Sequence, residues 1–192
     1  HINISIYCDI SKGIKEARRV IAIRDSLLKI KSELNPNQVK LFMDGVVEGK
    51  TAAMIDTYAD DHHHGMANAP YDTALAVINA LDKAGIQIHV HAIGDQAIRM
   101  TLDGFEYAIQ SNGKRPTRHH IAHLHVIHPD DISRFKSLDI IANFQALWAT
   151  WEDSYMTDLN RPFLGPERME WQYPIGTLHK SGARIAFGSD WD

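Results

Sequence analysis

The chain holds a single cysteine, Cys8, among 192 residues. A disulfide within the chain is therefore excluded, and so is a zinc site built from cysteine alone. Positive charge is not in surplus: 20 lysines and arginines stand against 24 aspartates and glutamates, for a formal net charge of −4. No basic patch points to a nucleic acid partner. No apolar run approaches the ~20 residues that a membrane-spanning helix needs. A low-complexity segment, a short repeat and a signal peptide are also missing. The chain begins with His1 rather than Met and stops at "IAFGSDWD", straight after an apolar run. Its ends thus read as the interior of a longer protein. The composition, 44% apolar and 23% charged, is that of a globular domain, expected in the cytoplasm and bound to neither membrane nor nucleic acid.

What the chain does have is histidine, 12 in all, set in a repeating alternation of short apolar runs and helical stretches. Strands are expected at 2–8, 39–43, 86–92, 119–124, 139–146 and 183–189. Helices are expected at 14–33, 72–84, 95–111, 129–138 and 174–181, with Gly85, Gly113 and Gly182 as stops. Between them, 44–70 reads as a long loop and 148–172 as an irregular segment rich in Trp, Pro and Arg. The strands look apolar throughout, which implies parallel strands covered by helices. Six are visible.

Four residues fall where strands end. Lys40 lies on the second strand, His91 ends the third, His123 the fourth, and Asp190 the sixth. His91 and His123 are 32 residues apart, and His123 and Asp190 are 67 apart. An eight-stranded α/β barrel uses about 30 residues per strand–helix unit and places its catalytic groups at the C-terminal strand ends. One unit and two units therefore put these residues on one ring. Neutral imidazoles and carboxylates suit zinc and similar divalent ions. A lysine beside them makes sense if it loses its charge, and addition of carbon dioxide to its amine would give a carboxylate-like carbamate.

"VKLFMDGVVEGKTAAM", "VHAIGDQA", "IAHLHVIHPDD" and "IAFGSDW", in this order, resemble the amidohydrolase superfamily and in particular its YtcJ-like amidohydrolase-3 family, which includes N-substituted formamide deformylases. The similarity runs over nearly the whole chain. The resemblance implies a metal-dependent hydrolase barrel of which residues 1–192 form one incomplete domain, about strands three to eight. It implies a carboxylated Lys40, metal ligation by Lys40, His91, His123 and Asp190, and Asp190 as general base. It implies one or two divalent ions, zinc first among them. The substrate would be a small amide-like molecule. The family's first-strand His-x-His is absent, and so is the small β-domain. Ala122 stands where the family often has Glu, Lys50 where it often has Arg, and Ala146 where it tends to have Pro. Asp95, Gln145 and Lys50 are candidates for substrate contact or for support of the ligands, and Asp95 also for a helix cap.

Other readings stand beside these. A lone strand histidine is usually structural. His89 shares the face of His91 but lies deeper and is expected to be packed. His119 and His120 are adjacent and must face opposite sides. His62, His63 and His64 lie beside Asp60 and Asp61 in a polar loop, which favours a solvated turn. His125 and His128 follow a strand end and belong near the mouth. Trp148, Trp151, Tyr155 and Trp171 shape a substrate pocket or simply pack. The same site would also serve ester, lactone or phosphoester hydrolysis. Alternatively, six strands cannot close a barrel, and their open edges would make the chain an inactive, self-associating homo-oligomer.

Overall fold

A computed structural model describes residues 2–30, 33–150 and 159–190. The elements run β1 (Ile2–Tyr7), α1 (Gly13–Leu27), β2 (Leu34–Phe42), α2 (Tyr71–Lys83), β3 (Gln87–Ala92), α3 (Asp95–Asn112), β4 (His120–His123), α4 (Ile132–Leu138), β5 (Ile141–Phe144), α5 (Arg161–Met169), α6 (Ile175–Ser181) and β6 (Ile185–Phe187). All five strand pairings are parallel, in the order of the chain. This is a partial α/β barrel, an open sheet whose strands are joined by covering helices. Trp151 and Tyr155 lie outside the described residues. No helix among the described residues is long and apolar enough to cross a membrane.

The strands are not apolar on both faces. Val39, Leu41, Ile88, Val90, Ile121, Ala142 and Phe144 pack against Val77, Ile78, Leu81, Ile98, Leu102, Phe105, Phe135 and Leu178 of the helices. Apart from Ala142, each such buried side chain contributes about 1.5–3 kcal/mol. The alternate positions carry Lys40, His89, His91, His120 and Asn143, on the face turned from the helices. Two of them, Lys40 and His91, line the cleft described below.

Three boundaries differ from the sequence reading. Helix α1 stops at Leu27 rather than continuing to residue 33, and β2 starts at Leu34. Pro36 hid that start, since a proline cannot donate to a ladder. It is accommodated because the β1–β2 register shifts between Asn3 and Ser5, where β2 has one residue more. The irregular segment contains α5, broken at Gly165 (φ 69°) and followed by Pro166. Gly-Pro masked a helix that buries Leu164, Arg168 and Met169. The glycine stops hold, with Gly85 and Gly182 in the left-handed region.

Candidate metal centre

The register sets the levels of the site. Lys40, His89 and His120 lie side by side across β2, β3 and β4. One layer further toward the C-terminal ends, Phe42, His91 and Ala122 align, with His123 beside Ala92. Lys40, His91, His123 and Asp190 all line one cleft of about 430 Å3, together with Phe42, Glu48, His125, Trp148 and Tyr173.

Lys40 is partly buried. Its Nζ donates to Nε2 of His89 at 2.9 Å and sits 4.9 Å from the Phe42 ring centre. Burial lowers its pKa to about 8. Burial, followed by the Lys40 charge, pushes His89 to about 2, so His89 is neutral and packed, its ring 4.3 Å from that of His120. His91 sits with Nε2 3.1 Å from the carbonyl oxygen of Gly45. A carbonyl only accepts, so Nε2 carries the proton and Nδ1 keeps its lone pair. The His123 ring lies 4.5 Å from that of His91, and its Nδ1 is 3.9 Å from Oδ2 of Asp190. Gln145 is itself buried, and its Oε1 has no hydrogen-bond partner among the described residues. Burial lowers His123 to about 3 and His120 to about 4. Neutral imidazole is the form that ligates a metal.

The backbone here is strained. His123 (φ 79°), Leu124 (φ 54°) and Asp190 (φ 55°) occupy the left-handed region, which non-glycine residues rarely adopt. Each costs roughly 1–3 kcal/mol and persists only where the surroundings hold it. Two of the three candidate ligands other than lysine thus sit on strained backbone.

Asp44 is the residue that local sequence reading missed. Its carboxylate is fully buried and accepts from Ile93 N at 3.0 Å, Gly94 N at 2.8 Å and Ala53 N at 2.9 Å. Burial pushes its pKa up to about 7, against the three N–H donors that favour the ion. It fastens the loop after β2 to the end of β3, and so fixes the Gly45 carbonyl that orients His91. The signal was a carboxylate next to the strand end, read as a loop start. Gly94 serves the same junction. It is the cap residue between β3 and α3, where a Cβ would strike the Ala53 carbonyl oxygen.

The remaining candidates are placed differently. Asp95 is the first residue of α3, after Gly94 at the cap position. Its Oδ1 accepts from Ile55 N and Gln96 N, both at 2.9 Å, so it ties the long loop to the helix start. Lys50 pairs with Asp60 and Asp61 and lies 5.2 Å from the Phe163 ring centre, and it is not among the residues that line the cleft. His63 caps its own turn, accepting from Gly65 N at 3.0 Å. His119 faces the helices, stacked on Phe105 and bonded to Asp82 at 3.0 Å, whereas His120 faces inward. His125 lines the cleft, buried and stacked on Tyr173. His128 meets Trp171 edge to face, and Trp171 packs against the smaller apolar cluster around Tyr58.

Comparison with known proteins agrees in direction. The model of a family described as "Amidohydrolase family" matches residues 4–192. Protein LONG AFTER FAR-RED 3 of Arabidopsis thaliana is 32% identical over 157 residues, covering 80% of this chain and 26% of that protein. Putative amidohydrolase YtcJ of Bacillus subtilis (strain 168) is 28% identical over 153 residues, covering 79% and 28%. A crystal structure of an uncharacterized metal-dependent hydrolase from Pyrococcus furiosus superposes with a TM-score of 0.69 at 25% identity, over 88% of this chain and 35% of that one. The chain spans about a quarter to a third of the length of these relatives.

Proposed function

The chain belongs to the amidohydrolase family, and from that membership and the cleft we propose that it carries the hydrolytic site of a metal-dependent enzyme acting on non-peptide, amide-like C–N bonds of small molecules. The observation that supports this most is that Lys40, His91, His123 and Asp190, distant in sequence, line one cleft at the strand ends.

The donor set suits a divalent ion. His91 offers Nδ1, because Gly45 holds its other nitrogen. His123 Nδ1 and Asp190 Oδ2, 3.9 Å apart, are near the ~3.3 Å between two ligands on a tetrahedral ion with bonds of about 2.0 Å. The His, Cys, Asp and Glu side chains among the described residues form no group of three around one point. A carboxylated Lys40, as the family resemblance implies, would add an oxygen to the donors lining the cleft. Its amine, with a pKa of about 8, is neutral often enough near neutrality to attack carbon dioxide. A C–N bond forms, a proton leaves, and the product is an anionic carbamate. Imidazole nitrogens with carboxylate-type oxygens match zinc, as one ion or two.

A bound divalent ion supplies the Lewis acidity that ionises water near neutral pH and polarises the substrate carbonyl. Asp190 accepts the water's proton and passes it to the leaving nitrogen. His91, His123 and carboxylated Lys40 would hold the ion. Asp95 supports the cleft indirectly, through the loop it fastens. Lys50 acts only through the ion pairs that brace that loop.

The test is a set of substrates sharing one acyl group: an amide, an ester and a lactone, with a phosphoester beside them, offered to zinc-loaded protein. The expected result is the largest acceleration over the uncatalysed reaction for the amide. A larger acceleration for any of the other three would replace C–N by another bond. A second proposal concerns assembly. Tyr7 on β1 is 55% exposed and Phe187 on β6 is 61% exposed, on sheet edges that have no neighbour among the described residues. Such edges pair with other chains, so light scattering should give a mass above the 21.7 kDa of one chain. A clean monomer would contradict this.

A further inference from the structure

Besides the four candidate ligands, the cleft is lined by Val46, Glu48, Ile93, His125, Trp148 and Tyr173. Glu48 is half-buried there.

The hydrogen-bonding character of His125 follows from its neighbours. Gln172 Nε2 donates to the Met169 carbonyl oxygen at 3.3 Å, which fixes the orientation of its amide. Gln172 Oε1 therefore faces His125 Nε2, at 2.8 Å. An amide oxygen only accepts, so Nε2 carries the proton and Nδ1 is left as an acceptor. The face of the His125 ring is stacked on Tyr173, at 4.6 Å between centres. These residues thus combine a carboxylate, an imidazole with an acceptor nitrogen, and the aromatic rings of Trp148 and Tyr173. Among the described residues that line the cleft, the cationic side chain is Lys40, which is turned to His89.

Carboxylate oxygens and aromatic faces both attract cations. A carboxylate offers about four lone-pair sites, so a partner within the protein leaves capacity for a ligand. We propose that Glu48 is a specificity-determining residue, and that the substrate carries a primary ammonium group which seats against Glu48 and the rings of Trp148 and Tyr173 while its amide faces Asp190. This deepens the proposed function and rests on it, since it takes the same cleft as the substrate site.

The probes are three acetamides of equal length: the monoacetyl amide of a straight-chain diamine, the acetamide of the matching alkylamine, and the acetamide of the matching amino acid, which ends in a carboxylate. Binding is measured by calorimetry on zinc-loaded wild type and on Glu48→Gln, with circular dichroism and metal content confirming that the variant is folded and loaded. Turnover of the same three is measured separately. The expected result is that wild type binds the ammonium probe roughly ten-fold tighter than the neutral one and binds the carboxylate probe weakest. In Glu48→Gln the ammonium preference should fall to within about two-fold. Equal binding of the ammonium and neutral probes by wild type would overturn the proposal, as would a preference that survives in Glu48→Gln. An ammonium preference that depends on Glu48, without hydrolysis of any probe, would instead overturn the amide reading and leave the cation site standing.

Discussion

Asp190→Asn is expected to lower the turnover of an amide substrate by about 10²–10⁴-fold, the range for loss of a positioned acid–base group, while most of the metal stays bound. The substitution keeps the shape and one oxygen of the side chain but removes its capacity to take a proton at neutral pH. The carboxylate is suited to that task. Its side chain is 53% exposed, so water reaches it, and it lines the cleft 3.9 Å from His123. The strained φ of 55° at Asp190 indicates that the chain bends to present this side chain at the mouth. The experiment pairs steady-state kinetics with metal content for both proteins. Full activity in Asp190→Asn would remove the base assignment. Loss of all metal together with activity would reassign Asp190 to binding alone.

Asp44→Ala is expected to destabilise the fold by roughly 3–5 kcal/mol, because three buried N–H donors lose their acceptor and each unsatisfied group costs about 1–3 kcal/mol. Those donors belong to Ala53, Ile93 and Gly94. The loop after β2 would detach from the end of β3, and the Gly45 carbonyl that holds His91 would move with it. Metal affinity should therefore drop together with stability. Asp44→Asn is expected to fall between the two proteins, since an amide can accept at one position but presents an NH2 group at the other. Urea unfolding of the three proteins decides this. A change below about 1 kcal/mol for Asp44→Ala would show that Asp44 is not the fastening point described here.

The order of strands and helices was legible in the sequence, because each strand–helix unit announces itself through apolar runs, glycine stops and spacing. That His91, His123 and Asp190 fall at or just past strand ends was legible for the same reason, since such a position follows from counting. What escaped was long-range. Asp44 gains its role from Ile93 and Gly94, which are 49 and 50 residues away, and nothing near Asp44 in the chain shows that they meet. Glu48 and His125 are far apart in the chain yet line one cleft. Helix α5 was hidden by Gly165 and Pro166, which break its period even though Leu164, Arg168 and Met169 are buried. The strands were taken as apolar on both sides, whereas their alternate residues face the cleft. Lys50, a candidate for substrate contact by its place in the motif, is instead paired with Asp60 and Asp61. His89, expected to be merely packed, is the neutral partner of the Lys40 amine.

The most direct test of the four-residue centre is metal content per chain, measured by mass spectrometry on wild type and Lys40→Ala after exposure to zinc and bicarbonate. Lys40, as its carbamate, is one of the four proposed ligands, so wild type should retain one or more zinc ions and the variant should lose them. Equal zinc in the two proteins, or none in either, would contradict the assignment of Lys40, His91, His123 and Asp190 as a metal centre in this chain.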